Sequence, residues 1–410
     1  TYKHDIDYYG YFDSYKCYTY DTSDQRFEPA SITTDKYCTG ASDWSGNFLN
    51  WASMTRMDSV KKILYGGTRS IDTSSTTVLE RSYLPGDAHS FAKFYTTTAS
   101  EMQKLTPWNV LNVTICNTTY AADGESEEVT APPLIRVAEG NFALWAANER
   151  YQCHWDGHSE LENNIFNSTL GFSSNNGNDT STTGLTAHYD NPNWTNDRLG
   201  LGDYVVRVEA CVSNALEGKE NCKAYPSGNL KPIGLLQQYG DDSQIMFGLI
   251  TGSFQRNKSG GVLRKNVSAI IDEINTTTDG TFKTAPATGN IIKNLDALRV
   301  SGYDHNPGYY NDDDNCSWGI NSFNNGSCTN WGNPQSEIYL ESLRYFAGAS
   351  ANAAFTADDS SYIDNFISSS WSDPLSNANY CAPINIIQFN ASVNSYDDEF
   401  SGISDLNDLT

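Results

Sequence analysis

Asp43 to Leu84 reads DWSGNFLNWASMTRMDSVKKILYGGTRSIDTSSTTVLERSYL. Phe48, Trp51, Ala52, Thr55, Val60, Ile63 and Leu64 recur at the spacing of one helical face, which predicts a single amphipathic helix from about Asn47. Ser45 offers an N-cap hydroxyl. Gly66 and Gly67 end the helix, because glycine accepts the left-handed backbone of a helix stop. The polar run beyond them reads as a turn and a strand. A helix feeding directly into a strand is the first sign of an α/β chain.

Upstream, residues 1–40 hold clustered tyrosines, two cysteines and no helical period, the pattern of a disulfide-closed aromatic loop. No apolar strand opens the segment, so more chain is expected before Thr1. Downstream, PPLIRVAEGNFALWAANERYQ (132–152) reads as a strand and a helix inside a stretch, 121–203, that is otherwise rich in Asn, Gly, Thr and Asp and resembles a surface insertion. From Asp203 order returns. YVVRVEACV reads as a strand, KPIGLLQQYG as a short helix and QIMFGLITGSF as an apolar strand of parallel-sheet type. Helices in IIKNLDALRV and SEIYLESLRYFAG and a strand in INIIQF come next. The alternation predicts an open α/β sheet, and no fixed-period repeat points to a propeller or solenoid. The chain of 410 residues therefore divides into 1–120, a 121–203 insertion and a 204–410 remainder of the α/β core.

A formal charge of −24 and a pI near 4.4 exclude nucleic acid and anionic membrane surfaces as partners, since both are bound by clustered Lys and Arg. No apolar run approaches the ~18 residues of a membrane span, so no membrane insertion is expected. The nine cysteines lack CxxC spacing and read as disulfides formed in an oxidising compartment. Nearest-neighbour pairing is the expectation: Cys17 with Cys38, Cys116 with Cys153, Cys211 with Cys222 and Cys316 with Cys328, leaving Cys381 over. Spacing alone does not deduce the connectivity.

The opening block, with GNFALWAANERYQC (Gly140 to Cys153), GLITGSFQRNKSGGVLRKN (Gly248 to Asn266) and WGNPQSEIYLESLRYFAG (Trp331 to Gly348), resembles the PilY family of type IV pilus tip and biogenesis proteins. The resemblance implies a protein exported through the periplasm to the pilus tip or cell surface. There it would be mounted on minor pilins and act in attachment, pilus extension and surface sensing. It also implies a von Willebrand factor A-like doubly wound sheet, here carrying large disulfide-bonded loop insertions. That family's fold often holds a divalent cation on three loops, and hard oxygen ligands suit calcium or magnesium.

Asp72, Ser74 and Thr76 in DTSST match the spacing of the first such loop, yet they follow a helix where an apolar strand should precede them, so a polar turn is the competing reading. Asn333 in GNPQSE stands where the second loop would supply a threonine, and helix-start chemistry competes there. The third-loop carboxylate is met only at Asp397 and Asp398, after INIIQFNASVNSY. NDDDNCSW adds Asp312 and Asp314 in an acidic loop. The candidate metal ligands are thus Asp312, Asp314, Asn333, Asp397 and Asp398, set against a degenerate site. Cys153, His154 and His158 make a poor zinc set, because Gly157 and the expected disulfide break the helix-borne pair.

Neither GxSxG nor HExxH occurs, and no enzyme active site is evident. Two other classes remain open. A secreted carbohydrate-binding module would use the 25 Tyr and 9 Trp, with Tyr8, Tyr9, Tyr11 and Phe12 as the more available rings, although packing over the disulfide loop competes. A secreted hydrolase would need only a pair of carboxylates and no local signature. Glycan binding lost on aromatic substitution would mark the first, and turnover lost on carboxylate substitution the second.

Overall fold

The computed structural model describes the chain except for residues 86–88, 120–131, 142–199, 213–217, 285–288, 305–308, 311–322, 377–378, 391–392 and 398–410. It divides into two compact units, Thr1–Gly234 with Tyr303–Tyr309, and Leu235–Gly302 with Tyr310–Thr410. The break thus falls at Gly234, within the 204–410 remainder that the sequence treats as one core.

In the first unit, residues 1–40 are more than a loop. β1 (Lys16–Asp21) and β2 (Arg26–Ile32) pair antiparallel, and β3 (Trp44–Ser45) pairs with the other edge of β1. The Cys17–Cys38 disulfide ties this hairpin down. The predicted single helix is two: α1 (Gly46–Ser53), capped by Ser45 Oγ, and α2 (Arg56–Tyr65), ended by Gly66 at φ +91°. The interruption has a local cause. Thr55 and Asp58 form a capping box, each side chain bonding the other's backbone N–H, and this restarts the helix at Arg56.

β4 (Arg69–Asp72) and β5 (Thr77–Glu80) make the hairpin expected after the glycines. β6 (Phe91–Thr96), α3 (Ala99–Leu105), β7 (Asn112–Thr119) and β8 (Pro133–Glu139) come after it. The predicted strand in YVVRVEACV breaks at Val206 into β9 (Gly200–Val205) and β10 (Arg207–Glu209), which serve different sheets. Val206 N–H donates to Pro133 O and its carbonyl accepts from Arg81 N–H, so both polar groups are satisfied at the crossing. The two sheets have orders β3-β1-β2-β10-β5-β4 and β6-β7-β8-β9. β11 (Cys222–Ala224) and β12 (Leu230–Pro232) form a separate ribbon, and Cys211–Cys222 closes the loop between β10 and β11.

The mixed α/β composition holds, but the described strands form no doubly wound sheet. That topology needs parallel neighbours joined by helical crossovers. Here β1–β2, β4–β5, β6–β7, β7–β8 and β8–β9 are all antiparallel, and the one parallel contact in these sheets is Phe27 with Val208. Tyr18, Phe27, Trp44, Phe48 and Val208 form the core, each no more than 1% exposed. Tyr11 and Phe12 belong to it as well, so the tyrosine-rich start supplies core, while Tyr9 stays exposed.

In the second unit α4 (Leu235–Gly240), α5 (Ile291–Ala297) and α6 (Gln335–Phe346) form where the sequence places them. β13 (Met246–Thr251) is not a buried parallel strand. It pairs antiparallel with β14 (Val262–Ala269), and Met246 is 50% exposed. INIIQF is not a strand either: Ile387 is 90% and Phe389 66% exposed, with no ladder partner among the described residues. The helix expected in GNFALWAANERYQ lies outside the described residues.

Candidate functional site

Each of the three sequence-expected cation loops resolves into ordinary bonding where it is described. In the DTSST turn, Arg69 Nη1 donates to both Asp72 oxygens at 3.0 and 3.1 Å. Lys231 Nζ lies 2.8 Å from Asp72 Oδ1, 2.5 Å from the Thr73 carbonyl and 2.9 Å from Thr77 Oγ1, and it is almost fully buried. An ammonium group is therefore the cation these oxygens hold. No local pattern reveals Lys231, because it comes from β12, far along the chain.

The second and third loops do meet. Asn333 bridges antiparallel to Ser395, and Asp397 Oδ1 accepts the Ser336 backbone N–H at 3.0 Å. Asp397 Oδ2 accepts from Asn394, and Asn333 Oδ1 accepts from Gln335 Nε2 at 2.7 Å. Gln388 Nε2 donates to Gln335 O and Oε1. This is the chemistry of a helix start: a carboxylate satisfying an orphan N–H at the positive end of α6. The oxygens of Asn333 and Asp397 each accept an N–H here, which ties both residues to the start of α6. Asp312, Asp314 and Asp398 lie outside the described residues, as do Cys153, His154, His158 and Cys316. Cys116 and Cys328 are each disulfide-bonded.

Among the described residues, the one cluster of three metal-ligating side chains is Cys17, Cys38 and Asp43, and its two sulfurs are bonded to each other. Disulfide sulfurs are not thiolate ligands. Shifted ionisations likewise belong to packing. Burial lowers the Lys93 ammonium to about 8 while it donates to the Trp51 carbonyl and lies against the Trp51 and Phe91 rings. Burial raises the Glu341 carboxyl to about 7, against bonds from Asn352 N–H and Arg344 that pull it down. Glu341 is paired with Arg344 Nε at 2.9 Å, one turn on in the same helix. A concave site does exist in the second unit, at the C-terminal end of α6. It is a cavity of about 480 Å³ lined by Tyr345, Gly348–Ala351, Thr356 and Ser368–Asp373. Sequence reading missed it because its walls come from two irregular segments.

Two family models match the chain in order: "PilY1 homolog, small alpha/beta domain" over residues 1–138 and "PilY1 homolog, second domain" over residues 247–410. Two curated proteins of Xylella fastidiosa, each named type IV pilus biogenesis factor PilY1 homolog, are similar to it. One is 32% identical over 362 residues, covering 84% of this chain and 22% of the relative. The other is 29% identical over 367 residues, covering 84% of this chain and 26% of the relative. The chain thus spans about a quarter of the length of these relatives. No solved structure matches it. No helix among the described residues is long and apolar enough to cross a membrane.

Proposed function

This chain belongs to the PilY1 homolog family, and from that premise we propose that it is part of a type IV pilus biogenesis factor. In this reading the protein is exported through the periplasm to the cell surface, seats on minor pilins at the fibre tip, and acts in pilus extension, attachment and surface sensing without catalysing a reaction. The observation that carries the reading is the ordered pair of family matches: 1–138 falls in the first compact unit and 247–410, apart from Tyr303–Tyr309, in the second. Disulfides at Cys17–Cys38 and Cys211–Cys222 suit export through an oxidising compartment.

A cation enters the proposal as well: Asp312, Asp314, Asn333, Asp397 and Asp398 are the oxygen-bearing residues that would hold calcium or magnesium, with Asn333 and Asp397 meeting at the α6 cap. The von Willebrand factor A-like sheet would have to form from chain other than the described strands.

Deletion of the encoding gene in the source cell, with complementation, tests the reading. Sheared surface pili should fall at least tenfold and recover on complementation, and antibody against residues 1–138 should label fibre ends in electron micrographs. Unchanged piliation together with unlabelled fibres would sink it. Cross-linking on intact cells should trap this chain with a minor pilin; capture of the major pilin alone would remove the mounting.

A further inference from the structure

The cavity at the C-terminal end of α6 is lined mainly by small and hydroxyl-bearing side chains. One wall is the helix terminus. Gly348, at φ +71°, donates its N–H to Tyr345 O, and Ala349 N–H reaches Arg344 O, the backbone closure of a left-handed helix stop. A Cβ on Gly348 would sit 3.5 Å from Asp373 Oδ2, so glycine leaves the approach to that carboxylate open.

The opposite wall, Ser368 to Asp373, is held in place by alternate residues. Ser369 N–H donates to Leu263 O and its hydroxyl to Arg264 O. Asn266 Nδ2 donates to Ser370 O, while Asn266 Oδ1 accepts from Ser372 N–H, Ser372 Oγ and Tyr345 OH. Trp371 meets Tyr345 edge to face, with centroids 5.4 Å apart. The wall is thus fixed by Ser369, Ser372 and Asn266.

The remaining polar groups have no protein partner among the described residues and face the open side of the cavity: the hydroxyls of exposed Ser350, Ser368 and Ser370 and half-buried Thr356, the indole N–H of half-buried Trp371 and Oδ2 of exposed Asp373. Asp373 Oδ1 accepts only Leu375 N–H. No Lys or Arg lines the cavity, and the carbonyl end of α6 adds negative potential, so an anion is disfavoured. A volume of about 480 Å³ is far larger than a metal ion needs and lies in the range of small-molecule sites.

We infer that this cavity is a saccharide-binding site for a neutral sugar, with Trp371 supplying an apolar ring for the sugar's C–H face, Asp373 accepting two hydroxyls and the serines completing the bonds. Charged acceptors paired with neutral hydroxyl donors give the short, strong bonds that orient such a ligand. The inference rests on the lining of the cavity and not on the pilus reading, so its failure would leave the proposed function untouched.

The test uses the full 410-residue chain and saturation-transfer NMR with glucose, galactose, mannose and N-acetylglucosamine at millimolar concentration, followed by calorimetry on any sugar that responds. At least one sugar should bind, with affinity lowered tenfold or more in Trp371→Ala and in Asp373→Asn. Asp373→Asn keeps the shape of the wall, and Leu111→Ala, at an exposed side chain of the other unit, should bind as the parent does. Absence of a signal from all four sugars overturns the inference. So does binding that survives both cavity variants, or binding confined to sialylated or sulfated glycans.

Discussion

At the residue scale, buried charges set the most exacting constraints. Arg264 and Asp359 in the second unit are both fully buried, and Asp359 also accepts from Ser253 Oγ and Gln255 N–H at 2.8 and 3.0 Å. The Arg264 guanidinium lies 3.7 Å from the centre of the Phe366 ring. Removing one partner leaves an unpaired charge away from water, so Asp359→Ala should cost roughly 3–5 kcal/mol. The check is the urea midpoint of the second unit's transition. Two partly buried phenols, Tyr37 and Tyr204, set the alkaline limit of the first unit. Burial, with Glu101 as hydrogen-bond partner, raises Tyr37 to about 12; burial, then the neighbouring Asp203, raises Tyr204 to about 12. In the unfolded chain a tyrosine ionises near ~10. Their contribution is therefore fully present below that pH and lost as pH rises through 12. Absorbance at 295 nm and circular dichroism should change together above about pH 10; tyrosinate appearing with the fold intact would contradict this. The Arg264–Asp359 and Tyr37–Glu101 pairings were not readable in the sequence, since their partners lie 95 and 64 residues apart.

At the element scale, the two-helix break shows how a short polar signal overrides an apolar period. Asp58 Oδ2 accepts both Thr55 N–H and Thr55 Oγ–H, while Oδ1 accepts Ser82 N–H at 2.6 Å from the end of the β4–β5 hairpin. One carboxylate thus starts α2 and anchors the far end of the hairpin. Asp58→Ala should cost about 2–4 kcal/mol, more than a surface cap, because two buried N–H groups lose their acceptor. A loss below ~0.5 kcal/mol in urea unfolding would show that water replaces the side chain. The Thr-x-x-Asp spacing is present in the sequence, but the helical period of six apolar residues runs straight across it and hides the break. INIIQF shows the converse. Its composition says strand, yet a strand exists only where a neighbouring edge supplies hydrogen bonds, and none of the described edges does so.

At the scale of the whole molecule, the chain carries two cores, so heating should give two calorimetric transitions. Both disulfides with described partners, Cys17–Cys38 and Cys211–Cys222, lie in the first unit. Closing a loop of 21 residues is worth roughly 3 kcal/mol of unfolded-state entropy. Dithiothreitol should therefore lower the first unit's transition strongly; a single transition that ignores reductant would refute the division. By itself the sequence determined the family, the acidic character, Ser45 as a cap, Gly66 as a stop and the α4, α5 and α6 helices, because these rest on composition or on contacts within a few residues. Only the tertiary structure decided which strands pair, that Val206 passes between sheets, that Lys231 holds the DTSST oxygens, that Asp397 caps α6, and that Trp371 and Asp373 share a cavity with Gly348. Those outcomes depend on groups distant in the chain competing for the same hydrogen bonds, and no local spacing encodes which of them wins.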